Sequence, residues 1–154
     1  MSNFGLQTTF EESVSAVTAT NSVAIGTERW ENGRKYIYAY NKSTSTAGVG
    51  YGVVYSAASG YSVTVSSIAG ENLAGVVINA DIGPTEYGWI VVKGHVPVQS
   101  SGNSAIAQGN KLILDTVGAF TRTTGATGYT GIVAGVATGS TATAGTFAAF
   151  INVG

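Results

Sequence analysis

Gly50-Tyr51-Gly52-Val53-Val54-Tyr55 reads as a short strand launched from a glycine turn, and Gly109-Asn110-Lys111-Leu112-Ile113-Leu114 repeats the pattern further along the chain. The likeness extends on both sides. Gly60-Tyr61-Ser62 is echoed by Gly118-Ala119-Phe120-Thr121, Gly75-Val76-Val77 by Gly131-Ile132-Val133, and Gly88-Trp89-Ile90-Val91-Val92 by Gly145-Thr146-Phe147-Ala148-Ala149-Phe150, at offsets of 56 to 59 residues. A four-strand unit used twice either packs against its copy or contributes strands to one closed barrel. Two copies are too few for a solenoid.

Working outward, β-branched and aromatic residues mark further strands at Lys35 to Tyr40, Tyr61 to Val65, Trp89 to Lys93, Val96 to Gln99, Ala119 to Arg122, Ile132 to Ala137 and Thr146 to Val153. Glycine with Ser, Asn or Thr separates nearly all of them, which is turn chemistry. Many short strands with regular turns predict an all-β fold, a small barrel or two-sheet domain. One hairpin is legible in detail: Trp30-Glu31-Asn32-Gly33-Arg34-Lys35-Tyr36 places Asn-Gly, both tolerant of positive φ, between strand-like flanks. Those flanks hold Glu28, Arg29, Glu31, Arg34 and Lys35, a third of all the charges, so the tip is expected to face water.

The expected organisation is an N-terminal arm over residues 1–22 and a single β-domain over 23–154. Thr9 to Val17 is the best helix candidate, with Thr9 as a cap and Glu11 and Glu12 in the first turn. Ahead of it, Ser2 to Thr8 is too poor in apolar residues to pack as an element. Phe4, Leu6 and Phe10 need burial, either by folding back on the domain or by docking on a neighbour.

Charged residues make up 10% of the 154, against about 25% in an average protein. Residues 43–70 and 123–154 contain none. Long Ser, Thr, Ala and Gly surfaces follow, suited either to water or to the charge-depleted core of an interface. A net charge of −1 offers no attraction for nucleic acid or an anionic membrane. No apolar run approaches the roughly 20 residues of a membrane helix. The N-terminus has no signal-peptide pattern, and with no cysteine neither a disulfide framework nor a thiolate metal site is available.

Residues for chemistry are few. His95 is the only histidine, so a Ser/His/Asp triad or a zinc site would have to be built on it, and its place between Gly94 and Val96 suits a structural strand residue better. The carboxylates are scattered, with Glu11 and Glu12 adjacent and Glu71, Asp81, Glu86 and Asp115 apart, and no pattern sets an acid against a base. Asp81 and Glu86 offer oxygens for calcium without the alternating ligands of a calcium loop. Gly48-Val49-Gly50-Tyr51-Gly52 lacks the Gly-Lys-Ser/Thr of a phosphate loop and reads as a turn or bulge. Trp30 and Trp89 are candidates for stacking on sugars, and Asn41-Lys42-Ser43 matches a glycosylation triplet, which matters only in a secreted chain. No catalytic residue, metal or cofactor is expected.

Taken in order, Tyr87 to Val98, Ala107 to Leu112, Gly131 to Ala137 and Phe147 to Val153 resemble the small capsid-associated β-proteins of tailed bacteriophages, the head decoration or cement proteins. Ile25-Gly26-Thr27 leading into Asn32 to Tyr38 agrees, so the resemblance runs over about residues 23–153 in loose patterns of Gly, Val and aromatics. It implies a non-enzymatic protein of the virion, made in the host cytoplasm, that adds to the capsid surface, often as homotrimers at local three-fold positions, and ties major capsid subunits together. Phe4, Leu6 and Phe10 would then be the contacts to capsid or neighbour. The alternatives are a tail-fibre or receptor-binding module touching host glycans and, from the enzyme class, a small glycan hydrolase.

Overall fold

The computed structural model describes residues 12–56, 60–66, 71–123, 135–141 and 144–153. It is all-β, with ten strands: β1 (Glu28–Glu31), β2 (Arg34–Asn41), β3 (Gly52–Tyr55), β4 (Ser62–Val65), β5 (Leu73–Val76), β6 (Tyr87–Ser100), β7 (Lys111–Leu114), β8 (Phe120–Arg122), β9 (Gly135–Ala137) and β10 (Gly145–Asn152). The predicted strands at 52–55 and 111–114 are reproduced to the residue. The two strands expected at Trp89–Lys93 and Val96–Gln99 are one continuous strand, β6, which passes through Gly94 at φ 126°. A Cβ there would meet the carbonyl of Gly33 at 3.0 Å, so the junction needs glycine.

The strands close into two five-stranded rings that share β6. Barrel 1 runs β2-β4-β3-β5-β6 and returns to β2; barrel 2 runs β6-β8-β7-β9-β10 and returns to β6. In each ring one pairing is parallel, Asn41 with Val63 and Ser100 with Phe120, and the others are antiparallel. Lys93 is the hinge position, partnered with Lys35 of β2 and with Asn152 of β10.

The internal repeat is therefore real in three dimensions, with a corrected register. Tyr36↔Val91, Tyr38↔Trp89 and Tyr40↔Tyr87 in barrel 1 correspond to His95↔Phe150, Pro97↔Ala148 and Gln99↔Thr146 in barrel 2, a constant offset of 59. The β3–β4 pairs recur in β7–β8, with β4 and β8 offset by 57. The lone bridge Ala47↔Ile82 recurs as Ile106↔Thr141. The sequence match of Gly75 with Gly131, and of Gly88 with Gly145, is overturned: Gly75 corresponds to Gly135 and Gly88 to Phe147. Aligning on glycines misplaced these strands because Gly75, Gly88 and Gly145 stand within strands, where correspondence follows the backbone ladder and not residue type.

Each ring has its own filling. Ile37, Ala39, Val53, Val63, Ile90 and Val92 fill barrel 1. Val96, Val98, Leu112, Leu114, Phe120 and Ala149 fill barrel 2 and are continuous with Val54 and Leu73 on the outside of barrel 1, so the rings pack against each other. Gly52 stands at that seam; a Cβ on it would collide with Leu114 and Leu73. Its N–H donates to Gly118 O at 2.8 Å, and Gln99 N–H donates to Gly50 O at 2.8 Å.

The Asn-Gly hairpin forms between β1 and β2 as predicted, with Asn32 at φ 49° and Gly33 at φ 74°. Its charges are partly satisfied locally: Lys35 pairs with Glu28 at 2.7 Å and Arg29 with Glu31. The helix expected over Thr9 to Val17 does not form in its described part, Glu12 to Val17. Ser13 Oγ accepts from Ser15 N–H at 3.2 Å, giving the backbone a local alternative to helix, and Val14 and Val17 are drawn onto the barrel.

Candidate binding surface

Tyr36 and Tyr38 of β2 and Trp89 of β6 point away from the filling of barrel 1, yet all three are buried. Residues 12–27 lie over them as a strap. Thr18 exchanges backbone hydrogen bonds with Tyr87, and the Tyr38 hydroxyl bonds Thr18 Oγ1 at 3.1 Å and Ser22 Oγ at 2.9 Å. Val14 and Val23 press onto the same cluster, and the Arg29 guanidinium lies 6.0 Å from the centre of the Trp89 ring while its Nη1 donates to Glu12 O. Tyr38 packs at 5.1 Å from Trp89 and 6.1 Å from Tyr87. From Glu12 onward, then, the arm folds back on its own domain. Phe4, Leu6 and Phe10, the sequence's candidates for contact with a neighbour, lie outside the described residues.

The corresponding face of barrel 2 is open. His95, Pro97 and Ala148, counterparts of Tyr36, Tyr38 and Trp89, are exposed. They line a shallow groove of about 390 Å³ with Arg34, Thr146 and Phe147. Arg34 Nε donates to His95 O at 2.7 Å, holding the guanidinium at the rim, and the imidazole rests edge-on against Phe150 at 5.1 Å. The sequence marks His95 as the lone histidine and Arg34 as one of the hairpin charges, for which a binding site is the alternative to a water-facing tip, but it does not mark Pro97 or Ala148 or join any of them into one surface. The uninterrupted apolar run Trp89 to Val92, followed by polar Lys93, His95 and Gln99 at alternate positions, was the available signal, because a strand covered on both faces loses the alternation that an open face keeps.

Other exposed aromatics stand apart from this groove. Trp30 is 63% exposed on β1, and Tyr55 and Tyr61 form an edge-to-face pair at 6.3 Å. Burial, with the neighbouring Tyr61 adding to it, pushes the Tyr55 phenol above its usual range. Trp89 is buried and unavailable to a sugar.

The residues that raised the question of catalysis or metal binding are dispersed into structural roles. Asp81 Oδ1 accepts from Val49 N–H at 2.7 Å, and Glu86 Oε2 accepts from Gly83 N–H at 2.8 Å, closing their own turns. Glu71 accepts from Ser66 Oγ, and Asp115 from Asn103 Nδ2. Among the described residues no three of His, Asp and Glu come together to hold a metal ion. Gly48 to Gly52 makes the expected turn, with Tyr51 N–H on Gly48 O and Gly50 at φ 86°. Asn41, of the glycosylation triplet, is fully buried, and its Nδ2 is directed at the carbonyls of Ser45, Ile82 and Gly83 within 3.1 Å. An amide so engaged is no glycan acceptor.

No protein-family model matches the chain, and no curated protein matches it in sequence. Among solved structures it is similar to the crystal structure of the head fiber gp8.5 N base in bacteriophage phi29, with a TM-score of 0.56 over 76% of this chain and 94% of that one, at 13% identity. At 13% identity the likeness is one of fold alone.

Proposed function

We propose that the chain is a non-catalytic structural protein of a bacteriophage particle, placed on the head, where it decorates the capsid and bridges major capsid subunits. The observation that carries this is the shared fold with a phage head-fiber base, joined to the resemblance to decoration proteins read from the sequence. The build of the molecule supports it. Two fused barrels with hydrogen bonds across their seam make a stiff body, which suits a brace between subunits. Many weak contacts on one shell act together, because each attachment raises the effective concentration of the next. Binding the assembled shell and not free subunits stabilises it by mass action. A homotrimer at local three-fold positions is the oligomer this role favours, with no cofactor required.

Imaging a native particle tests the assignment directly, with density for this protein expected over the head. Shells carrying it are expected to release DNA at a higher temperature than shells without it, and an unchanged release temperature overturns the bracing role. Deleting residues 2–12, which removes Phe4, Leu6 and Phe10, is expected to lower occupancy on shells; unchanged occupancy removes the arm from the contact. The second reading, a fibre or receptor-binding module for host glycans, is favoured by the exposed Trp30 and the Tyr55–Tyr61 pair. It predicts a few copies at one site and glycan binding that is lost in Trp30→Ala.

A further inference from the structure

The repeat makes every position of barrel 1 a control for its counterpart in barrel 2. On barrel 1 the outer face of β2 and β6 is covered by a segment of chain, residues 12–27, bonded through Thr18 to Tyr87. On barrel 2 the same face, formed by β6 and β10, is a groove with no described segment over it. The groove also has a sign. Arg34 lines it and Lys93 lies one pleat from His95 on the same exposed face, and neither has a carboxylate within ion-pair distance among the described residues, whereas Arg29 and Lys35 are both paired. Pro97 and Ala148 supply an apolar floor between β6 and β10.

We propose that this face of barrel 2 is a docking surface for an extended, carboxylate-bearing segment of a different protein chain, which takes the place that the strap occupies on barrel 1. It rests on the function proposed above only for the identity of that chain, a major capsid subunit. Charge complementarity selects the occupant: acidic side chains meet Arg34 and Lys93 at the rim, steering the encounter and setting register. A second copy of this chain is poorly equipped for the task. Each of its seven described carboxylates, Glu28 and Asp81 for example, already accepts an internal hydrogen bond or ion pair.

The chain has no cysteine, so a single thiol can be placed at will. Ala148→Cys, in the groove, and Val117→Cys, exposed at the β7–β8 turn, are each produced with the phage, labelled with a benzophenone maleimide on purified particles and irradiated. The expected result is an adduct between the Ala148→Cys chain and a shell subunit, mapping to a peptide that contains Asp or Glu, with little from Val117→Cys. Arg34→Gln combined with Lys93→Gln is expected to lower occupancy about tenfold, the size of one or two exposed charge contacts, in a chain that stays folded, its melting temperature lowered only by the lost Arg34 Nε–His95 O hydrogen bond. An Ala148→Cys chain that is present on particles but gives no adduct overturns the proposal. So does an adduct only with a second copy, or only with the chain's own residues 1–11. Absence of both variants and of the wild-type chain from the particles overturns the head assignment, and the proposed partner with it.

Discussion

The two halves of β6 obey one pairing scheme in opposite surroundings. From Gly88 to Val92 every residue is buried, because barrel 1 lies on one side and the strap and neighbouring aromatics on the other. From Lys93 to Ser100 burial alternates, since only the barrel 2 side is filled. Strand order is the same in the two rings, and the pairs from Tyr36↔Val91 to Tyr40↔Tyr87 recur in register from His95↔Phe150 to Gln99↔Thr146, so topology does not decide whether the outer face is covered. Side-chain size does. Tyr36, Tyr38 and Trp89 carry large rings whose exposure would be costly, whereas His95, Pro97 and Ala148 tolerate water.

The largest expected contrast is Tyr38→Ala against Pro97→Ala. The first removes a fully buried ring and two hydroxyl contacts to the strap and is expected to cost about 3–5 kcal/mol in urea unfolding. The second, at the matching position, is expected to stay within about 0.5 kcal/mol. Similar losses for both would mean that the barrel 2 face is not open.

Next comes Asn41→Ala against Ser100→Ala, the counterparts where β2 and β6 leave their rings. Asn41 Oδ1 accepts from Ser43 N–H at 3.0 Å as Ser100 Oγ accepts from Gly102 N–H at 3.1 Å, but only Asn41 also serves three carbonyls. Stranding buried acceptors is expected to cost about 2–3 kcal/mol at Asn41, and losing a single hydrogen bond about 1 kcal/mol at Ser100. Denaturant midpoints of the two variants decide it.

Gly50→Ala and Gly109→Ala follow. Both glycines sit near φ 87°, so each substitution carries the left-handed penalty of about 1 kcal/mol. At Gly109 nothing lies within 4 Å of the new methyl, while at Gly50 it meets Gln99 Cγ at 2.8 Å and Gln99 N at 3.3 Å. Gly50→Ala is therefore expected to be worse by about a further 1 kcal/mol from overpacking. Equal melting temperatures would show that the inter-barrel seam gives way freely. The smallest effect is expected at Trp30→Ala, within about 0.5 kcal/mol for an exposed site, so that any loss of glycan or shell binding in that variant reports on contact and not on folding.

Much of this was legible in the chain. Gly52-Val53-Val54-Tyr55 and Lys111-Leu112-Ile113-Leu114 declare themselves by β-branched content between turn residues. Asn32-Gly33 declares its hairpin, because few residues other than these adopt positive φ at low cost. The repeat was visible, but beyond its first strand its register was not, since matching Gly60 with Gly118, Gly75 with Gly131 and Gly88 with Gly145 follows residue type and not backbone pairing. The candidate surface was half legible. His95 was named as the lone histidine, while Arg34, distant in sequence, joins the groove only because β2 and β6 pair side by side. The helix expected from a Thr9 cap and the acidic Glu11 and Glu12 does not form over Glu12 to Val17, because capping signals act locally while Val14 and Val17 gain more by packing on the barrel.

By itself the sequence determined an all-β chain, poor in charge, with its turns at glycines and its strands near their observed places. These properties live in side-chain shape and backbone freedom, which each residue carries alone. Only the tertiary structure decided that the strands close into two rings through one shared β6, that one outer face is covered and its twin open, and that two cations flank the open one. Ladder hydrogen bonds use backbone groups common to all residues except proline, so the choice of partner strand is made by the fit of whole faces and is not written in any single segment.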